Sequence, residues 1–234
     1  MLQMPLSRIL QVYIFQLGMG IFFLFMAILI LRRDRKRINL YLSSFFVFLF
    51  IGALLNVIYA PITIIPIALI LAYMCLYVLY LAPVFLLLFN LIIYKSEKIF
   101  NNTKQLIIFG LYAVVLIGWI SIQGITIEKS NNYVPYWSLP FFLYMVISLT
   151  GMMIPTIYTS IKIYKEFEDK KLKKKWAFYI IGMITYFFNC LAVGFCNYYN
   201  DPALRLIYNT FALSLFIFAY LIYYGVGRQI EKAE

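Results

Sequence analysis

Tyrosine and asparagine are the residues of this sequence best placed to do chemistry, because they recur at helical spacing within apolar stretches. Tyr73, Tyr77 and Tyr80 stand at i, i+4 and i+7, which puts their hydroxyls on one face of a helix. Amide and phenol groups hydrogen-bond without charge, so the set predicts a cavity for a small, largely uncharged ligand. The other candidate ligand residues are Asn56, Tyr59, Tyr186, Asn189 and Asn209.

The same residues also fit a purely structural role. Polar and small side chains hydrogen-bond membrane helices to each other, and tyrosine anchors helices at the membrane surface. Asn189 is the strongest ligand candidate, because a buried amide near mid-membrane must find a partner and its apolar neighbours offer few. The loop GITIEKSNNYVPYWS, with Tyr136 and Trp137, fits either a cap over a cavity or an interfacial anchor.

Histidine is absent from all 234 residues. Its absence removes the commonest general base, zinc ligand and phosphoacceptor, and with them Ser-His catalysis and zinc hydrolysis. Cys75, Cys190 and Cys196 lie in apolar stretches without a CxxC pair, so we expect them to be packing residues. We predict a protein that is not an enzyme and that uses no cofactor or metal.

The elements that carry these residues are membrane helices. Of all residues, 65% are hydrophobic and 12% charged, whereas soluble domains are about 25% charged. A helix crosses the hydrocarbon core with about 20 apolar residues. We predict an all-α integral membrane protein, one domain over 1–234, folded as a seven-helix bundle. Its spans are 12–31, 40–59, 66–94, 106–122, 139–161, 176–198 and 206–225.

Two of these runs allow another interpretation. The run 66–94 contains Pro83, but dividing it there would need a turn without polar residues inside the membrane, so we predict one kinked helix. The run 12–31 could be taken for a signal peptide. It ends in RRDRKR, where a cleavage site would need small residues, so we expect it to stay as the first helix.

Basic residues are divided unevenly between the two sides of the bundle. Seventeen of the 20 Lys and Arg fall in the first, third and fifth loops and the C-terminal tail, leaving Arg8, Lys129 and Arg205 on the other side. The positive-inside rule then puts the N-terminus outside and the C-terminus in the cytoplasm, in a multi-pass protein of the cell membrane.

Acidic residues and lysine also exclude functions. All nine Asp and Glu lie in loops or the tail, which argues against a pump or an ion-coupled transporter. No lysine lies within 206–225, so a retinal Schiff base is excluded.

The fifth loop, KIYKEFEDKKLKKKW, concentrates positive charge on the cytoplasmic side. One explanation is attraction to anionic lipid headgroups. The other is docking of a cytoplasmic signalling protein, because Glu166, Glu168 and Asp169 add a sign pattern that lipid attraction does not require. No nucleic acid partner is expected. The predicted partner or lipid contacts are Arg32, Arg33, Arg35, Lys170, Lys171, Lys173, Lys174 and Lys175.

The segment APVFLLLFNLIIYKSEK, residues 82–98, places a proline and an apolar run with an aromatic residue before a short basic loop. Together with the seven-helix plan and short loops, it resembles the seven-helix sensory input region at the N-terminus of many membrane histidine kinases. Those kinases carry a phosphoacceptor histidine and a catalytic domain downstream, and this sequence has neither. The resemblance implies a sensor that passes its signal to a separate protein.

We therefore predict a receptor-like protein that binds a small outer-side ligand between spans two, three, six and seven and signals to a cytoplasmic partner. A small-molecule uniporter is one alternative, because spans two and six resemble each other as the repeats of a 3+1+3 sugar transporter would, although the Pro-Gln signature of those transporters is absent. A non-catalytic membrane assembly subunit is the other, because such a subunit needs no motif.

Overall fold

The computed structural model describes residues 6–33, 35–131 and 133–226. Helices account for nearly all of this part of the chain, so the predicted all-α class is confirmed. A π-helical stretch, Leu10–Gln16, joins the first two α-helices, and strands β1 (Ile125–Thr126) and β2 (Tyr136–Trp137) pair antiparallel. The helices are α1 Leu6–Ile9, α2 Leu17–Arg33, α3 Arg37–Tyr59, α4 Ile65–Leu81, α5 Pro83–Ile99, α6 Asn102–Ile122, α7 Leu139–Glu166, α8 Lys170–Tyr199, α9 Pro202–Ala212 and α10 Ser214–Val226.

Six helical segments within the described residues are long and apolar enough to cross a membrane. By length and composition they are those of a multi-pass membrane protein. Many large apolar side chains on them stay exposed, as expected of helices whose outer faces meet lipid. The segments are Leu10–Arg33, Arg37–Tyr59, Ile65–Ser96, Asn102–Ile122, Leu139–Glu166 and Lys170–Tyr199.

The seventh predicted span, 206–225, is not a single helix. α9 ends at Ala212, Leu213 forms a turn, and α10 begins at Ser214. α10 is apolar but has only 13 residues, fewer than the about 20 that cross a hydrocarbon core. A bundle of seven spans therefore stays a prediction.

The third span is one bent helix, as the sequence indicates. α4 and α5 meet at Ala82, whose φ of −51° and ψ of −43° remain right-handed helical. Pro83 has no N–H, so the carbonyl of Leu79 lacks its intrahelical donor. The hydroxyl of Tyr186 on α8 donates to that carbonyl at 3.2 Å. The bend is thus hydrogen-bonded from a neighbouring helix.

Two ends of the bundle differ in composition. One end, which we call the sheet end, holds β1 and β2. The opposite end, the basic end, holds the connections α2–α3, α5–α6 and α7–α8, and side chains link these connections. Arg37 donates to Asn102 Oδ1, and Trp176 Nε1 donates to the Ser160 carbonyl at 2.9 Å.

The connection from α7 to α8 is shorter than the predicted fifth loop. Only Phe167, Glu168 and Asp169 separate the two helices, because the lysine cluster forms the first turns of α8. Asp169 Oδ1 accepts a hydrogen bond from the Lys171 backbone N–H at 2.7 Å and caps α8. The predicted basic tail, 228–232, lies outside the described residues.

α8 and α10 approach each other closely through two glycines. A Cβ added to Gly182 would lie 2.9 Å from the carbonyl oxygen of Phe218 and 3.0 Å from the N of Ile222. A Cβ on Gly225 would lie 2.7 Å from the backbone N of Tyr179. Small residues at such contacts let helix backbones meet in membranes, so α10 packs on α8 whether or not it spans fully.

We expect Gly182→Ala to destabilise the protein by about 1–3 kcal/mol, because the added methyl meets backbone atoms that cannot move independently. Gly110→Ala is the matched control, since no atom lies within 4 Å of its added Cβ and alanine favours helix. Thermal unfolding of the purified variants in detergent measures both. Equal unfolding temperatures for the two variants would contradict the close α8–α10 contact.

Candidate ligand-binding site

A partly enclosed cavity of about 460 Å³ lies between the helices at the sheet end. Its volume falls within the range of roughly 300–1,000 Å³ that small-molecule sites occupy. Its wall is built by α1, the π-helical stretch, α2, α3, α4, α8, α9 and α10, together with the β1–β2 segment and Asn200. The first span is therefore part of the site, in addition to the spans that the sequence indicated.

Five of the predicted ligand residues lie on the cavity wall. α3 brings Asn56 and Tyr59, α4 brings Tyr80, and α8 brings Tyr186 and Asn189. These residues meet because helical spacing puts them on the inner faces of α3, α4 and α8, and these three helices surround the cavity.

Two other predicted ligand residues, Tyr73 and Tyr77, do not line the cavity. The Tyr73 hydroxyl accepts a hydrogen bond from the Ile125 N–H at 3.3 Å, and its ring packs edge-on against Phe141. Tyr73 thereby holds β1 beside α4. Tyr77 is half-buried against the apolar core. The Asn209 side chain lies outside the described residues.

Asn189 is a buried side chain on the cavity wall whose amide has only one of its two ends hydrogen-bonded. It is 2% exposed, and its Nδ2 donates to the Thr185 carbonyl at 3.0 Å and to Ser214 Oγ at 3.2 Å. These two bonds identify which end of the amide is the nitrogen, so the other polar atom, Oδ1, can only accept a hydrogen bond. Within the described part of the chain, no group donates to that Oδ1. A buried acceptor without a donor costs about 1–3 kcal/mol, which a donor on a bound molecule would offset.

Two arginines line the cavity although they were not among the ligand residues predicted from the sequence. Arg8 on α1 is 8% exposed, and Arg205 on α9 is half-buried. Arg205 Nη2 donates to the Pro135 carbonyl at 3.2 Å and to Asn200 Oδ1 at 2.9 Å. The sequence does contain a hint of their importance. Each arginine stands shortly before an apolar run, at 12–31 and 206–225, on the side of the bundle that otherwise has a single cation.

Burial and like charge both act on these guanidinium groups. Burial is the largest cause that lowers the pKa of Arg8 and of Arg205, and the positive charge of Arg8 lowers the pKa of Arg205 further. Tyr59 lies close enough to both arginines to raise each pKa in part. No Asp or Glu occurs among the described wall residues, so this end of the cavity is electropositive.

The π-helical stretch gives the first span its polar wall. Residues five apart in a π-helix are linked by hydrogen bonds and lie nearly above one another, unlike those in an α-helix. Gln11 and Gln16 both reach the wall in this way. The Asn56 amide donates to Gln16 Oε1, which ties the stretch to α3.

The β1–β2 segment closes part of the sheet end. Ile125 pairs with Trp137 across the two strands, and both side chains line the cavity together with Pro135. Trp137 is 2% exposed and packs edge-on against Phe141 at 5.2 Å. The connection from α6 to α7 is therefore part of the site.

Comparisons of the chain with protein-family models, with curated proteins and with solved structures give no match in any of the three. Among the described residues, no group of three or more Cys, Asp or Glu side chains is placed to hold a metal ion. The cavity is therefore the feature of the protein that bears most directly on its function.

We expect Tyr186→Phe to destabilise the protein by about 0.5–2 kcal/mol, because it leaves the Leu79 carbonyl without a donor. Pro83→Ala returns an N–H to that carbonyl. In the Pro83→Ala background, the additional effect of Tyr186→Phe should fall close to zero. A double-mutant cycle of unfolding temperatures in detergent tests this coupling, and additive effects would show that Tyr186 acts through other contacts.

Proposed function

We propose that this chain is a receptor-like membrane protein that binds a small molecule in the sheet-end cavity and signals to a separate cytoplasmic protein. In this proposal the sheet end faces outward, α9 and α10 together form the seventh span, and the protein lies in the cell membrane. The observation that carries the proposal is the buried Asn189 carbonyl oxygen on the cavity wall, which has no donor within the described residues.

The distribution of charge supports the orientation. Positive side chains gather at the basic end, which the positive-inside rule assigns to the cytoplasm. Of the predicted partner residues there, Arg32, Arg35, Lys170, Lys171 and Lys174 are exposed. The other three are half-buried, and two of them lie over tyrosine rings: Arg33 over Tyr223 at 4.5 Å and Lys173 over Tyr164 at 5.1 Å, with Lys175 the third.

A ligand in the cavity would touch the bonds that hold the helix bend. Tyr80 donates to the Cys190 carbonyl at 3.1 Å, while Tyr186 donates in the opposite direction to the Leu79 carbonyl. Both tyrosines line the cavity. A ligand that prefers one arrangement of these two bonds would shift the relative position of α4 and α8.

Contacts continue from the cavity towards the basic end. Tyr179 on α8 donates to Asn90 Oδ1 at 2.8 Å, and Asn90 Nδ2 donates to the Thr156 carbonyl on α7 at 2.9 Å. Trp176 stacks on Phe89 with ring centroids 6.3 Å apart. α8 is one continuous helix from the cavity to the lysine cluster. A rigid-body shift of α8 at the cavity would therefore also move the lysine cluster at the cytoplasmic surface.

We expect Asn189→Leu to abolish ligand binding without lowering membrane expression, because leucine keeps the volume of the side chain but removes the acceptor. The measurement is the thermal shift of the purified protein across a library of small metabolites and lipids, in which a ligand raises the unfolding temperature.

Asn90→Leu is the matched control, because Asn90 is fully buried away from the cavity wall and both ends of its amide are bonded. This variant should lose stability and keep its ligand response. Equal loss of expression and response in Asn189→Leu would assign Asn189 to packing. Flux of the ligand through proteoliposomes would favour the uniporter over the receptor.

We expect replacement of Lys170, Lys171 and Lys174 by glutamine to uncouple signalling while ligand affinity changes less than about threefold, because coupling between distant sites is modest. Ligand-dependent crosslinking to cytoplasmic proteins and ligand-induced thermal shift are measured on the same variant. A large loss of affinity in the uncoupled variant would contradict separate ligand and partner sites.

A further inference from the structure

We propose that the ligand of this cavity is an anion with an apolar body, whose acidic group binds Arg8 and Arg205 and whose far end donates a hydrogen bond to Asn189. The inference rests on the proposed ligand-binding function and names the chemical class of the ligand. It replaces the largely uncharged ligand that the tyrosine and asparagine pattern indicates.

The positive end of the cavity is the first support. Arg205 lies within electrostatic range of Arg8, Tyr59 and Cys196, so the two guanidinium groups share one region of the wall. The described hydrogen bonds of Arg205 go to the neutral oxygens of Pro135 and Asn200. Two like charges near each other and partly removed from water repel, and an anion between them lowers that repulsion and offsets part of their desolvation.

Arginine also selects the kind of anion. Each guanidinium offers five N–H donors in a planar fork that matches the two oxygens of a carboxylate or a phosphate. The described bonds of Arg205 use Nη2 alone. An amino acid zwitterion fits less well, because no Asp or Glu among the described wall residues is available for its ammonium group.

Much of the rest of the cavity wall is apolar. Phe23, Leu49, Leu76 and Phe218 line it from α2, α3, α4 and α10, and all four are almost fully buried. Such a surface binds an alkyl chain or an aromatic ring through the area that it removes from water. A small inorganic anion would leave this region without a partner.

Asn189 is a second polar feature of the wall, separate from the two arginines. Asn189 lies seven residues before Cys196 on α8, which corresponds to about 10 Å along the helix axis. Because Cys196 is close to Arg205, the acidic group and the donor of the ligand should be separated by a similar length. A hydroxy acid with an apolar spacer has this form, and the Asn189 Oδ1, which is buried in the described arrangement, would accept from its hydroxyl once the amide turns towards the cavity.

Two sources can supply this chemistry, namely a soluble organic acid or the acidic headgroup of a membrane lipid. The test therefore uses the full chain in nanodiscs of phosphatidylcholine and, in parallel, in discs that also contain phosphatidylglycerol. The probes are 3-(4-hydroxyphenyl)propanoate, its primary amide, the corresponding amine and 3-phenylpropanoate. They share one ring and differ in charge or in the hydroxyl donor.

In phosphatidylcholine discs we expect the hydroxy acid to bind about 10- to 100-fold more tightly than its amide, because hydrogen bonds to charged groups are the stronger ones. The amine should give no thermal shift, and 3-phenylpropanoate, which has no donor for Asn189, should bind the unsubstituted protein as weakly as the hydroxy acid binds Asn189→Leu. Loss of the acid's shift in phosphatidylglycerol discs would identify a lipid headgroup as the competing anion, and retention would identify a soluble acid.

Arg205→Gln should reduce the ratio of the affinities for the acid and the amide without abolishing it, because Arg8 remains on the wall, and Arg205→Lys should keep a larger share of that ratio. Lys129→Gln is the matched control, because this cation is exposed at the same end and lies off the cavity wall. This variant should keep the full preference for the acid.

Equal or tighter binding of the amide or the amine to the unsubstituted protein would overturn the anion inference and leave the receptor proposal standing. Absence of a shift with all four probes in phosphatidylcholine discs would also overturn it. The metabolite screen with Asn189→Leu would then decide the receptor proposal by itself.

Discussion

Apolar surroundings place one requirement on this bundle, namely that polar groups among its helices find hydrogen-bond partners within the protein. The bend at Pro83 depends on it, because the freed Leu79 carbonyl is bonded by Tyr186 from α8. Asn90 meets the same requirement nearer the basic end, where its amide joins α7 to α8. These bonds specify which helices meet, since apolar contacts between helices gain little over contacts with lipid.

The sheet-end cavity is one of the places where this requirement is relaxed, and the Tyr112 hydroxyl, Trp119 Nε1 and Ser160 Oγ are others away from it. Asn189 keeps an acceptor without a donor in the described part of the chain, and two arginines share a wall that has no described acid. Buried polar groups are otherwise satisfied almost everywhere in folded proteins, so exceptions point to function. The unsatisfied acceptor and the positive charge belong to the wall of one largely apolar space, which is the form of a two-point binding site.

Five polar residues of the cavity wall could be predicted from the sequence, and the charge of the wall could not. Tyr80, Tyr186 and Asn189 were identified because helical spacing is a local property. Arg8 and Arg205 were counted only for orientation, because short-range patterns do not show that the first and last spans bring them together. Tyr73 shares the spacing of Tyr80 but bonds to Ile125, a residue whose position depends on strand pairing far along the chain.

Composition and periodicity by themselves determined the helical class, the bent third span and the separation of charge between two ends, because hydropathy and backbone hydrogen bonding act over neighbouring residues. Only the tertiary structure decided that the last apolar run is broken at Leu213, that the lysine cluster begins α8, and that a π-helical stretch widens the first helix. It also decided that arginines from opposite ends of the sequence face one cavity. Such outcomes depend on contacts between residues far apart in the chain, which no local pattern encodes.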